Sequence, residues 1–132
     1  MKVFLDASFL IYLNIGVKDE RLDKLFKRAL SEEAYTDVLA IDELLYVSKR
    51  KYRVPYEETV AFIDDVILPA VEILPIGLQE YLKMRSNVLK YNLKPSDAIH
   101  LAVMENNGIQ AIITEDADFQ RTPVKVIWID VR

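Results

Sequence analysis

The chain has 132 residues and a formal net charge of −4, from 17 Lys and Arg against 21 Asp and Glu. That length allows one domain with a sizeable single core, and 52% hydrophobic with 29% charged residues excludes disorder over most of it. The lack of cysteine excludes a disulfide scaffold, thiol catalysis and Cys-based zinc sites, and the single histidine, His100, excludes any site needing two imidazoles.

The elements read as alternating strand and helix. Val3–Leu5 is a short apolar run expected to be a buried strand ending at Asp6, and Ser8–Asn14 opens a helix. Asp19–Leu30 carries Leu22, Leu25, Phe26, Ala29 and Leu30 at helical spacing. Tyr35–Val38 reads as a strand, and the span from Ile41 to about Lys51 as a helix containing Glu43. Pro55 starts another helix, with Val60, Ile63 and Ile67 on its inner face and Pro69 as its stop. Ala70–Leu74 reads as a strand and Leu78–Tyr91 as a helix, with Tyr81, Leu82, Val88 and Leu89 inward. Pro95-Ser96-Asp97 opens a further helix with Ser96 as N-cap, and Gly108 follows its end. Gln110–Thr114 and Lys125–Ile129 complete the strands. This alternation predicts an α/β protein: a three-layer α/β/α sandwich with a mostly parallel central sheet, residues 1–132 forming one domain.

In such sheets ligands bind beyond the carboxyl ends of the strands. Asp6 follows the first strand and the Thr114-Glu115-Asp116 cluster the fourth, while Asp97 opens a helix and Glu43 lies on one. Carboxylates brought together repel unless a cation neutralises them. Oxygen donors alone select Mg²⁺ or Mn²⁺, ions that polarise phosphodiesters and lower the pKa of water. Asp97 in a first helical turn is expected to be held ionised by the helix dipole.

Four segments carry a resemblance: Val-Phe-Leu-Asp6-Ala-Ser8-Phe; Ile41-Asp42-Glu43-Leu44; Lys94-Pro95-Ser96-Asp97-Ala98-Ile99-His100-Leu101-Ala102; and Ile113-Thr114-Glu115-Asp116-Ala117-Asp118-Phe119. In order and spacing they resemble the signature segments of the PIN domain, most closely the VapC-type toxin ribonucleases of prokaryotic toxin–antitoxin pairs. The resemblance implies a Mg²⁺- or Mn²⁺-dependent endoribonuclease, often dimeric, blocked by a small antitoxin. Asp6, Glu43, Asp97 and Asp116 match the catalytic, metal-binding acids. Asp118 matches an additional acid, and which of Glu115, Asp116 and Asp118 reaches the metal stays open. Ser8 and Thr114 match supporting hydroxyl positions. By the same resemblance, helices Asp19–Leu30 and Glu58–Ile67 are expected to form part of the antitoxin groove, with the nearby face making the dimer.

His100, three residues after Asp97, is either a catalytic base or metal ligand or a partly buried helix residue packing on the sheet, and the packing reading is preferred because a two-metal mechanism needs no histidine. Lys49, Arg50, Lys51 and Arg53 are candidates for an RNA-backbone grip or simply cations favoured at a helix C-terminus. Lys83, Arg85, Lys90 and Lys94 read as a solvated face, and the tyrosines as packing or interface. The acid at position 6 interrupts a signal-peptide core, and no run of about 18 apolar residues could span a membrane, so a cytoplasmic protein is expected. The alternatives are an RNA-processing nuclease on the same fold and a non-cleaving Mg²⁺- or RNA-binding regulatory module. A receiver-type module is disfavoured, because the third strand, Ala70–Leu74, ends without an aspartate to phosphorylate.

Overall fold

A computed structural model describes residues 1–128. Five parallel strands form one sheet: β1 (Lys2–Leu5), β2 (Glu33–Asp37), β3 (Val71–Leu74), β4 (Ala111–Thr114) and β5 (Lys125–Trp128), in the spatial order β3-β2-β1-β4-β5. The expected end of the last strand, Ile129, lies outside the described residues. The helices are α1 (Ala7–Asn14), α2 (Glu20–Leu30), α3 (Val38–Tyr52), α4 (Tyr56–Phe62), α5 (Leu78–Tyr91) and α6 (Pro95–Asn106). The α/β/α reading holds, and the period-2 alternation of the strands explains the layers. Val3 and Leu5 of β1, with Ala111 and Ile113 of β4, pack with α1 to α4. Phe4 and Ile112, pointing the other way, pack with residues of α6 and with Leu93 and Phe119.

Several local expectations are corrected. α3 begins at Val38 rather than Ile41, because Asp37 caps it by accepting from the Ala40 amide at 2.9 Å. Lys94, not Ser96, is the N-cap residue of α6, and Pro95 takes the first helical position, where its missing N–H costs nothing. Val60, Tyr81 and Leu89 face outward, Leu89 being 86% exposed, whereas Ile63 and Ile67 are buried as read. The α4 pattern drifts because the helix widens into a π turn over Ile63–Ile67, where the Leu68 amide bonds to the Ile63 carbonyl at 2.8 Å. Gly108 does follow α6, at φ +67°.

Chain direction along the sheet reverses between β1 and β4. The chain fills one side through β2 and β3, then returns to the other side of β1 with β4 and β5. The crevice above the carboxyl ends of β1 and β4 is therefore the topological switch point, where α/β sheets open a ligand site. A buried polar knot holds α3 in place beside it: the Asn14 side-chain amide donates to Ser48 Oγ at 2.9 Å and Thr59 Oγ1 at 3.0 Å. That ties α1, α3 and α4 together and fixes the helix carrying Glu43. Among the described residues no helix is long and apolar enough to cross a membrane.

Candidate active site

The β1-to-α1 transition uses one residue, Asp6. Its backbone carbonyl accepts the first amides of α1, but its carboxylate makes no capping bond and turns into the crevice instead. There Oδ2 accepts from Thr114 Oγ1 at 2.7 Å and from Ser8 Oγ at 3.3 Å. Thr114 Oγ1 in turn accepts from the Asp116 amide at 3.0 Å, and Ser8 Oγ from the Glu115 amide at 3.4 Å. Two hydroxyls thus lock the first acid onto the loop bearing the fourth. Burial raises the Asp6 carboxyl above its ordinary range; His100 and Thr114 pull it down and the Glu43 charge pushes it up.

Asp97, in the first turn of α6, is buried beside Asp116, and its Oδ2 lacks a hydrogen-bond partner. The expected dipole effect loses here. Burial first, and then the hydrogen bond and charge of Asp116, push Asp97 up to about 7. Asp116 moves below its ordinary range: burial opposes this, but the Asp118 amide, the Asp97 carboxyl and Lys94 outweigh it. The Asp118 amide donates to Asp116 Oδ1 at 2.9 Å. Asp118 itself pairs with Arg121 at 2.8 Å on the surface.

One carboxylate oxygen each from Asp97, Asp116 and Asp118 lies within 4.8 Å of the others. An all-oxygen donor set containing a buried, unpartnered carboxylate oxygen suits a hard divalent cation, so the residues fit a metal. A cleft of about 300 Å³ opens over this cluster, lined by Asp6, Ser8, Glu43, Asp97, Glu115 and Asp116, with Tyr12, Lys51, Tyr52 and Lys94 on its walls. Asp6, Glu43, Asp97 and Asp116, far apart in sequence, share this cleft; Asp118 joins the carboxylate trio without lining it. Of the basic run only Lys51 lines the cleft. Lys49 sits over the Tyr56 ring at 4.6 Å and Arg50 over Tyr46 at 6.0 Å, while Arg53 ends α3 in the left-handed region at φ 59°. Glu115 accepts from the Tyr12 hydroxyl at 2.8 Å, and burial together with Glu115 pushes Tyr12 up to about 12.

Beneath the cleft lies a buried pair that the sequence reading did not assemble. His100 is fully buried rather than partly, and its ring packs 5.3 Å from Phe4. Nδ1 lies 2.7 Å from Oδ2 of Asp37, itself fully buried at the end of β2. Nε2 faces Glu43 Oε1 at 3.6 Å and Asp6 Oδ1 at 3.8 Å. Burial works against the charged ring, but the interactions with Asp37, Glu43 and Asp6 outweigh it and push His100 up to about 10. The three carboxylates around the ring thus favour its protonated form, while Nε2 itself makes no hydrogen bond. Asp37 could have been found by the strand-end rule that picked out Asp6.

The strand order, with acids gathered at the switch point, defines a parallel α/β domain with a carboxylate-lined cleft, and comparison with known proteins gives its family. The PIN domain family model matches residues 3–125, and the chain belongs to that family. It is 28% identical over 127 residues to the VapC ribonuclease Mb1869c of Mycobacterium bovis and likewise to ribonuclease VapC13 of Mycobacterium tuberculosis, covering 92% of this chain and 95% of each relative. Among solved structures, VapBC2 of Rickettsia felis bound to a promoter DNA fragment matches with a TM-score of 0.75 at 17% identity, covering 98% of this chain and 100% of that one. A toxin–antitoxin complex from Klebsiella pneumoniae matches at 0.73 with 20% identity and 95% coverage of both chains.

Proposed function

We propose that the protein is a metal-dependent endoribonuclease, the toxin of a VapC-like toxin–antitoxin pair, hydrolysing RNA phosphodiesters. The observation that carries this reading is the convergence of Asp6, Glu43, Asp97 and Asp116 on one cleft at the β1/β4 switch point. Similarity to ribonucleases over nearly the whole chain supports it.

Asp6, Asp97, Asp116 and Asp118 would hold Mg²⁺ or Mn²⁺, with Glu43 reaching in from α3. A divalent cation held there supplies Lewis acidity, lowering the pKa of water and neutralising the charge that builds on the phosphate. The residues do the rest. Thr114 and Ser8 hold Asp6 in one rotamer, so the site costs little reorganisation. Asp97 is pushed up to about 7 in the metal-free protein, so a cation binding at its carboxylate would displace a proton. Lys51 and Tyr52 on the wall offer a backbone contact and a stacking face to an entering strand. Lys49, Arg50 and Arg53 extend this positive charge outward along the end of α3.

The partner we propose is a small antitoxin that covers the cleft, with the toxin as a homodimer, in the cytoplasm. The resemblance to chains solved in toxin–antitoxin complexes supports this. Cleavage of a mixed set of structured and unstructured RNAs tests the activity, comparing wild type with Asp97→Asn in Mg²⁺, Mn²⁺ and EDTA. The reading expects cleavage that needs metal and is lost in the variant. Equal cleavage by both proteins marks a contaminant, and a wild type that binds metal yet cuts no RNA ends the enzyme reading.

A further inference from the structure

Lys94 reads from sequence as part of a solvated face, yet its ammonium lies inside the acidic cleft. Nζ is 3.3 Å from Asp116 Oδ2 and 3.7 Å from Asp97 Oδ2, two of the three carboxylates that suit a cation. The 3.7 Å separation is too long for a hydrogen bond, so Asp97 Oδ2 stays unpartnered. The backbone of Lys94 is anchored: it is the N-cap residue of α6, in extended conformation at ψ 153°, as Pro95 after it requires. The side chain is 60% exposed, so the ammonium reaches these carboxylates from the solvent side of the cleft.

We propose that Lys94 is a built-in cation that occupies the carboxylates when they hold no metal and serves as a phosphate-binding residue when they do. The second half rests on the nuclease reading above. An exposed lysine–carboxylate pair is weak, because water screens it and the side chain loses freedom in making it. A divalent ion bonding to the same oxygens displaces the ammonium easily. The anchored backbone then keeps the freed ammonium at the cleft mouth. The nearest incoming anion there is the phosphodiester of a bound strand, and a lysine meets phosphate as a compact point charge without needing a fixed plane. One side chain thus has two alternative partners, and the metal decides which one it meets.

The proposal assigns opposite signs to the two affinities on removing this charge. Mn²⁺ binding is measured by calorimetry on the full chain. Binding of a non-cleavable 2′-deoxy-substituted RNA oligonucleotide is measured in Ca²⁺ across a salt series. Lys94→Gln is expected to bind Mn²⁺ about fourfold more tightly, the size of a lost surface ion pair. It is expected to bind the oligonucleotide more weakly, the slope of log affinity against log salt falling by about 0.7, the value of one single-strand phosphate contact. Lys94→Arg, which keeps the charge, is expected to keep the slope. Thermal melting verifies that both exposed-site variants fold. Unchanged or weaker Mn²⁺ binding in Lys94→Gln overturns the placeholder role, and an unchanged salt slope overturns the phosphate contact. A wild type that binds Mn²⁺ but no RNA overturns the nuclease reading and the phosphate half with it, while tighter Mn²⁺ binding in the variant still supports the placeholder.

Discussion

The floor and the rim of the cleft are built on different principles. The floor consists of Asp6, Thr114, His100 and Asp37, all buried and bonded in two pairs, Thr114 to Asp6 and His100 to Asp37. The rim consists of Glu43 and Lys51 on α3, Lys94 at the start of α6 and Asp116 on the loop after β4, all partly or well exposed. Charges on the floor are matched inside the protein, with His100 standing among Asp37, Asp6 and Glu43. Charges at the rim are matched by exposed cations, Asp116 by Lys94 at 3.3 Å and Asp118, just outside the cleft, by Arg121 at 2.8 Å. The difference teaches that the floor holds and the rim stays open: the floor fixes Asp6 and sets His100 among three carboxylates, and the rim leaves acids exposed where a cation could meet them.

This contrast can be broken in graded ways. The largest effect is expected on the floor. His100→Leu strands the fully buried Asp37 carboxylate and should cost about 3–5 kcal/mol of stability. Urea unfolding reads this, and the double variant Asp37→Leu/His100→Leu should recover much of the loss. In the carboxylate trio between floor and rim, Asp97→Asn should lower the RNA cleavage rate by about 100-fold or more while leaving the fold intact. At pH 8 its melting temperature should equal or exceed that of wild type, because a buried acid that resists ionisation has been replaced by a neutral amide. Thr114→Val removes the donor to Asp6 and the acceptor for the Asp116 amide, at about 1–3 kcal/mol, and loosens both acids together.

Titration sharpens the same comparison. Folded Asp97 holds its proton up to about pH 7, against 3.8 for the free group, so its contribution to metal-free stability falls as pH rises from about 4 to 7. His100 acts with the same sign in another window. Its contribution is fully present below pH 6.5 and is lost as pH rises through about 10. Metal must also displace the Asp97 proton, so Mn²⁺ affinity should fall about tenfold per pH unit below 7. Calorimetric titrations between pH 5.5 and about 8 read that slope. The smallest effect belongs to Lys51→Ala, which should reduce the salt slope of RNA binding by about 0.7 with no change in metal affinity.

What the sequence revealed follows the same division. The strand-and-helix alternation and the switch-point acids were legible, because short apolar runs ending at Asp6 and Thr114 carry both signals at once. Glu43, Asp97 and Asp116 were legible through motif spacing. The Asp37–His100 pair was not, since its members sit 63 residues apart and meet only when β2 and α6 pack. The ionisation of Asp97 went the opposite way to the dipole argument because burial by Asp116 and the helix is a tertiary effect. Lys94 reads as surface because it belongs to a basic stretch of sequence, and only the packing of α6 beside the loop after β4 brings its ammonium to Asp97 and Asp116. Leu89 and Tyr81 were placed inward by a spacing that fits more than one helix face, and only packing chooses between them.

The central claim is that the acids of the β1/β4 crevice form one metal centre that cuts RNA. Its most direct test is a Mn²⁺ titration of folded wild type and folded Asp97→Asn, with RNA cleavage followed in the same samples. The account predicts that the wild type binds Mn²⁺ and cleaves, and that the variant loses both together. Full Mn²⁺ binding with undiminished cleavage in Asp97→Asn would contradict it.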